Sequence, residues 1–190
     1  VRADDAIRAV TAAVEMRERV HAFNLEREKK GEAPIRIGIG ICTGEVVSGN
    51  IGSERRMDFT VIGDGVNVAS RIETLTKYYG VDILMSESTM QALGDGFCTR
   101  LVDQVRAKGK QKPVLVYEVI GTAGKTLSRA QTLFCEGFAL YQRRDFEAAA
   151  RFFEKGLDRD PVCRVFLDRC RHFMTFPPGG HWDGVWAPGE

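Results

Sequence analysis

The chain opens with apolar residues three or four apart among charged ones: Ala6, Val10, Ala13, Met16, Val20 and Phe23. That period predicts one amphipathic helix over residues 3–27 with an ordinary solvated polar face. Asp4 and Asp5 at its start complement the positive end of a helix and need no metal ion. Lys30-Gly31-Glu32-Ala33-Pro34 breaks the pattern, after which Ile35, Ile37, Ile39 and Ile41 alternate with Arg36, Gly38, Gly40 and Cys42. A period of two predicts a half-buried strand. Interior glycines weaken a strand, so Gly38 and Gly40 on one face imply a close approach there, either of a ligand or backbone or of a packed helix. Thr43-Gly44 reads as a hairpin turn into a return strand over 45–51, followed by a polar loop over 53–56.

The stretch that organises the chain is MDFTVIGDGVNVASRIE, Met57 to Glu73. Phe59, Val61 and Ile62 have the aromatic and β-branched character of a buried strand. Gly63 and Gly65 permit a tight turn from strand to helix, with Asp64 as the expected N-cap. Asn67 and Arg71, four residues apart, share one face of that helix. The residues alone support two readings of the pair: a clamp for a phosphate near the helix start, or a solvated face with Arg71 paired to a carboxylate.

Beyond this helix Gly80 fits a C-cap, Val81 to Met85 a short strand, and Ser86 the N-cap of a short helix ending before Gly94. Strands over 99–105 and 114–120 flank a polar loop over 106–113 that carries Lys108-Gly109-Lys110. Such a loop is a candidate phosphate lid or a plain solvated hairpin tip. Residues 122–126 read as a linker. Helical periodicity then returns, and Leu133, Gly137, Leu140, Ala149, Phe153 and Pro161 fall at spacings that resemble one tetratricopeptide repeat, two helices meeting near residues 143–145, within a unit over 127–174. A third helix covers 162–173. One repeat cannot bury its own apolar face, so the unit is expected to dock on the preceding domain, on further repeats or on another protein. Residues 175–190 form a Pro- and Gly-rich tail with Trp182 and Trp186 expected to pack on the helices.

Composition narrows the function classes. In 190 residues, 27 Lys and Arg nearly balance 26 Asp and Glu, so no basic excess points to nucleic acid or a lipid headgroup. No apolar run reaches the length of a membrane span, and Val1 in place of an initiator Met reads as an internal start. Cys42, Cys98, Cys135, Cys163 and Cys170 form no CxxC pair and suit a reducing, cytoplasmic compartment. His21, His172 and His181 are scattered without a second ligand at metal spacing, so no transition-metal site is expected.

TVIGDGVNVASRIE, the upstream IRIGIGICTGEVVSGNIGS and the later Arg106-Ala107-Lys108-Gly109-Lys110 together resemble the class III adenylate and guanylate cyclase catalytic domain, of bacterial adenylate cyclase type. The resemblance covers residues 1–121. It implies an α+β, ferredoxin-like cyclase fold, incomplete at its N-terminus and followed by a small α-helical hairpin unit. It also implies a head-to-tail homodimer with active sites shared between protomers, ATP as substrate, and conversion to 3′,5′-cyclic AMP and pyrophosphate assisted by two Mg²⁺ or Mn²⁺ ions. By motif position Asn67 would orient the ribose, Arg71 would stabilise charge at the α-phosphate and Lys108 would hold the terminal phosphates. By the same resemblance Thr60 stands where many mammalian-type adenylyl cyclases carry an Asp that contacts the adenine amino group, and where a subset of bacterial-type adenylate cyclases has Thr. Its hydroxyl can accept from adenine or donate to guanine, and the resemblance favours ATP. The family's two metal aspartates and its adenine-reading Lys belong before Val1, so the chain alone is expected to be inactive, with no metal ligands of its own. A guanylate cyclase, or a non-catalytic dimerisation scaffold whose helical repeat recruits a protein, are the alternatives.

Overall fold

The computed structural model describes residues 4–53, 56–106 and 113–186. Its centre is a four-stranded sheet of β1 (Ile39–Ile41), β4 (Ile83–Ser86), β6 (Val114–Thr122) and β5 (Phe97–Val105), side by side in that order. β1 runs parallel to β4, while β4–β6 and β6–β5 are antiparallel. β4 is apolar at every position but its last because both its faces are covered, and Ile83, Leu84 and Met85 are fully buried. The alternation of the strand sorts them. Ile83 and Met85, with Val119 of β6, meet Ala6, Val10, Ala13 and Val14 of helix α1 (Asp5–Lys29) on one face. Leu84, Val102 and Val116 face helix α2 (Asp64–Tyr79) and the C-terminal helices on the other. The mixed sheet with helices on both faces is the expected α+β architecture.

Only the first half of α1 is buried. Met16 and Phe23, expected on the same apolar face, are about half exposed. Arg17 fastens the middle of the helix to the sheet by donating to the carbonyls of Val119 and Ile120, both at 2.8 Å. Helix packing accounts for Gly38 and Gly40. A Cβ at Gly40 would collide with α2 backbone at Ala69 and Glu73, and one at Gly38 would collide with the Thr76 side chain. α2 therefore lies directly on β1.

Two expectations about strands are corrected. Thr43-Gly44 is not a hairpin turn: β1 pairs with β4, and the following strand β2 (Val47–Ser53) pairs with β3 (Arg56–Ile62) instead. Thr43 is held at the start of α3 (Glu87–Leu93), its N–H donating to Thr89 Oγ1 at 2.9 Å and its carbonyl accepting from Ser88 Oγ at 2.7 Å, which carries the chain away from β1. β3 is also not buried. β2 and β3 form a separate two-stranded arm, register Val47↔Ile62 to Ser53↔Arg56, and Phe59 is 74% exposed with Val61 and Ile62 also open to solvent. No described layer of this chain covers the arm.

Local signals hold at the helix ends. Gly80 ends α2 in the left-handed region, φ 70°, and Ser86 caps α3 by accepting the Thr89 N–H. The N-cap of α2 is Gly63 rather than Asp64, since the Gly63 carbonyl accepts from Val66 and Asn67 and so begins the helix one residue earlier. After Thr122, helix α4 (Arg129–Gln142) starts at a Ser128–Gln131 capping box. It is followed by α5 (Phe146–Gly156) and α6 (Pro161–Thr175), capped by Asp145 and Asp160. Of the three docking surfaces expected for this unit, the structure uses the adjacent domain. Phe134, Phe138, Phe153, Phe166 and Leu167 share one core with Ile72, Tyr79, Leu84 and Val116. Trp182 packs edge-on against Tyr141, and Trp186 against Phe173. No described helix is long and apolar enough to cross a membrane.

Candidate active site

α2 is two-sided. Ile72, Thr76 and Tyr79 point into the core, whereas Asn67 and Arg71 are exposed on the opposite side, one turn apart. Asp64 in the first turn already sets a carboxylate against the positive helix end. Asn67 and Arg71 are the polar side chains that this exposed side of α2 presents one and two turns after Gly63. A cleft of about 310 Å³ runs beside the helix, lined by Val68, Ile72, Leu75, Val105 and Val114, with Arg71 and Arg106 at its rim. Residues 106 and 114 stand at the two ends of the loop that carries Lys108. The structure therefore brings Arg71 to the mouth of that loop; Lys108 itself lies outside the described residues. Thr60 is exposed on β3 opposite Gly49 of β2, on the arm and not in the cleft.

Among the described residues, no group of three or more His, Cys, Asp and Glu converges as an ion would require. The described side chains therefore hold no set that fits a two-metal site.

What sequence reasoning missed lies behind α2. Arg100, on β5, donates to Glu118 of β6 at 2.6 Å and to both carboxylate oxygens of Asp160 at the start of α6. Three residues on, Asp103 accepts from the Tyr79 hydroxyl of α2 and from Arg169 Nη1 of α6 at 2.7 Å. All of these groups are buried. Burial pushes the Asp103 and Glu118 carboxyls up, the facing guanidinium groups of Arg169 and Arg100 opposing the shift, and burial pushes the Tyr79 hydroxyl well up. Strict alternation would put residues 100 and 103 on opposite faces. An irregularity in the β5–β6 register between Leu101 and Asp103 returns both to the helix-covered face.

The sequence model of the family described as the adenylate and guanylate cyclase catalytic domain matches residues 2–121. An adenylate cyclase of Anabaena cylindrica is 48% identical over 118 residues, 58% of this chain and 24% of that protein. The terminal-differentiation specific adenylate cyclase of Dictyostelium discoideum is 35% identical over 175 residues, 87% of this chain but 8% of that protein, a match that must run past residue 121 into the helical unit. This chain thus spans less than a quarter of either relative. Among solved structures, the adenylyl cyclase CyaB from P. aeruginosa superposes with a TM-score of 0.57 at 31% identity, covering 66% of this chain and 63% of that one. The guanylyl cyclase Cya2 superposes with a TM-score of 0.54 at 38% identity, covering 65% and 61%. With its sheet, its α2 motif and most of its length matched in this way, the chain belongs to the adenylate and guanylate cyclase catalytic domain family.

Proposed function

We propose that this chain is part of an adenylate cyclase that converts ATP to 3′,5′-cyclic AMP and pyrophosphate, and that it contributes the nucleotide-positioning half of an active site shared across a homodimer. The observation that carries the reading is the exposed Asn67–Arg71 pair on α2, with Arg71 at a cleft whose rim also holds one end of the Lys108 loop. In the reaction the ribose 3′-oxygen bonds to the α-phosphorus, the bond from that phosphorus to the α,β-bridging oxygen breaks, and pyrophosphate leaves. Asn67 hydrogen-bonds the ribose and fixes the line of attack. Arg71 presents a planar fork of donors to the α-phosphate oxygens, where charge grows in the transition state. Lys108 neutralises the terminal phosphates and Thr60 reads the base. The carboxylates that would hold Mg²⁺ or Mn²⁺ in this reading are not among the described residues of this chain, and the 190-residue protein alone is expected to form no cyclic nucleotide. ATP as substrate assigns the reaction to the cytoplasm.

The exposed arm supports the dimer, since a two-stranded hairpin with Met57, Phe59 and Val61 open to water is marginal until something covers it. A guanylate cyclase is the second reading, left open by the Thr60 hydroxyl, which donates to a carbonyl as readily as it accepts from an amino group. Changing Arg71 to Ala in the longer parent protein tests the central assignment. The expected result is a fall in kcat on the order of 10²-fold or more with KM for ATP nearly unchanged. An equal loss in both constants contradicts a transition-state role for Arg71.

A further inference from the structure

The helical unit touches α2 at the end opposite Asn67, and it does so through directional contacts. The Tyr79 hydroxyl donates to Asp103 Oδ2, Arg169 Nη1 donates to the same oxygen at 2.7 Å, and Arg169 Nη2 donates to the Tyr79 hydroxyl at 3.3 Å. The second carboxylate oxygen of Asp103 accepts the Gln104 N–H at 2.8 Å. One closed ring of hydrogen bonds therefore joins α2, β5 and α6. The Arg169 guanidinium lies among aromatic rings, 4.5 Å from the centre of Phe166, 5.4 Å from that of Trp186 and 5.8 Å from that of Tyr78. Pro161, the first residue of α6, abuts the Gly80 cap of α2 so closely that a Cβ there would lie 2.9 Å from it.

We propose that Tyr79, Asp103 and Arg169 are positioning residues for the cyclase reaction: through them the helical unit sets the rotation of α2 about its own axis, and with it the aim of Asn67 and Arg71. This inference rests on the proposed function of those two residues. The hydrophobic effect is non-directional, whereas each hydrogen bond of the ring at Tyr79 has a preferred line, so the ring adds a restraint on rotation to the packing of α2 on β1. Arg71 is two turns up the helix from Tyr79, about 12 Å along the axis. A rotation of about 10° moves a side-chain tip about 6 Å from the axis by about 1 Å. Displacement on that scale costs on the order of 10²-fold in rate when the moved group acts on the transition state. A buried ion pair adds little net stability over an apolar pair of the same shape, which leaves orientation as what this cluster contributes. The alignment with the Dictyostelium discoideum relative extends into the helical unit, so the two parts occur together in more than this chain.

The test uses Tyr79→Phe, which removes one hydroxyl, and the double variant Asp103→Leu with Arg169→Met, which replaces the buried pair by apolar groups. In the cyclase-competent parent, both variants should lower kcat by about tenfold or more with KM for ATP changed by less than about twofold. The thermal midpoint of Tyr79→Phe should stay within a few degrees of the parent's, whereas that of the double variant should fall further because the Tyr79 hydroxyl and the Gln104 N–H lose their Asp103 acceptor. In the 190-residue chain, amide hydrogen exchange over residues 64–71 should quicken in Tyr79→Phe while exchange in β4 is unchanged. Wild-type kcat in both variants, or a rise in KM without a fall in kcat, overturns the positioning role. Unchanged exchange over 64–71 overturns it independently of catalysis, and an inactive parent sinks the functional reading while leaving the exchange result to decide this one.

Discussion

Phe59→Ser tests whether the β2–β3 arm is an interface. Phe59 and Asn50 oppose each other in the arm, as do Val61 and Ser48, so Met57, Phe59 and Val61 form an apolar stripe along one side of β3. Phe59 is 74% exposed. A Phe side chain presents roughly 200 Å² when open, so about 150 Å² remains to be covered, equivalent at about 25 cal/mol per Å² to an upper limit near 4 kcal/mol. Incomplete burial and residual contacts of Ser reduce this to about 2 kcal/mol per arm. A two-fold interface counts it twice, so the dimer dissociation constant should rise by roughly 10³-fold. Because the ring touches little within its own chain, the unfolding free energy of the monomer should change by less than about 0.5 kcal/mol. Sedimentation equilibrium over a concentration series measures the first quantity and chemical denaturation of dilute protein the second. A dissociation constant unchanged by the substitution, or a wild-type chain monomeric at every concentration, would refute the reasoning.

Lys108→Ala in the parent enzyme should raise KM for the nucleotide with little change in kcat, because the hold on the terminal phosphates proposed for Lys108 would be uniform binding; an unchanged KM shows the loop to be ordinary surface. Burial pushes the Cys163 and Cys170 thiols from an ordinary value near 9 up to about 12, so native protein at pH 8 should alkylate slowly at these two and faster at the half-buried Cys42 and Cys98. Mass spectrometry after iodoacetamide decides this, and equal labelling of all five contradicts the packing of α6. The same shift carries a sign for stability. The folded thiols keep their protons where the unfolded ones lose them, so their contribution is complete below pH 9 and is lost as pH rises from 9 toward 12, at on the order of 1 kcal/mol per thiol per pH unit. Urea titrations at pH 8 and pH 10.5 that give equal free energies would contradict it.

Features encoded by neighbouring residues were legible in the sequence. Gly80 as a left-handed cap, Ser86 as an N-cap and the period-two run into β1 depend on contacts a few residues apart. Pairing between distant strands was not legible: Thr43-Gly44 has turn composition, but β1 finds its partner in β4 some forty positions later, and nothing near residue 43 records that. Phe59, Val61 and Ile62 have the composition of core strand, and composition does not distinguish an exposed apolar stripe from a buried core. Asn67 and Arg71 could be placed on one helix face by spacing alone, whereas what holds that helix could not. Arg100 and Asp103 stand three apart in β5, a spacing that strict alternation would split between faces, and those two charges were the available trace of the buried clusters with Asp160 and Arg169.

The most direct measurement is cyclic nucleotide formation by the longer parent protein with Mg²⁺ or Mn²⁺, ATP and GTP supplied separately and the 190-residue chain run beside it. Cyclic AMP from ATP in the parent alone is the predicted result. Cyclic GMP as the main product would transfer the assignment to a guanylate cyclase, whereas cyclic AMP from the 190-residue chain, or no product from either protein, would contradict the shared half-site.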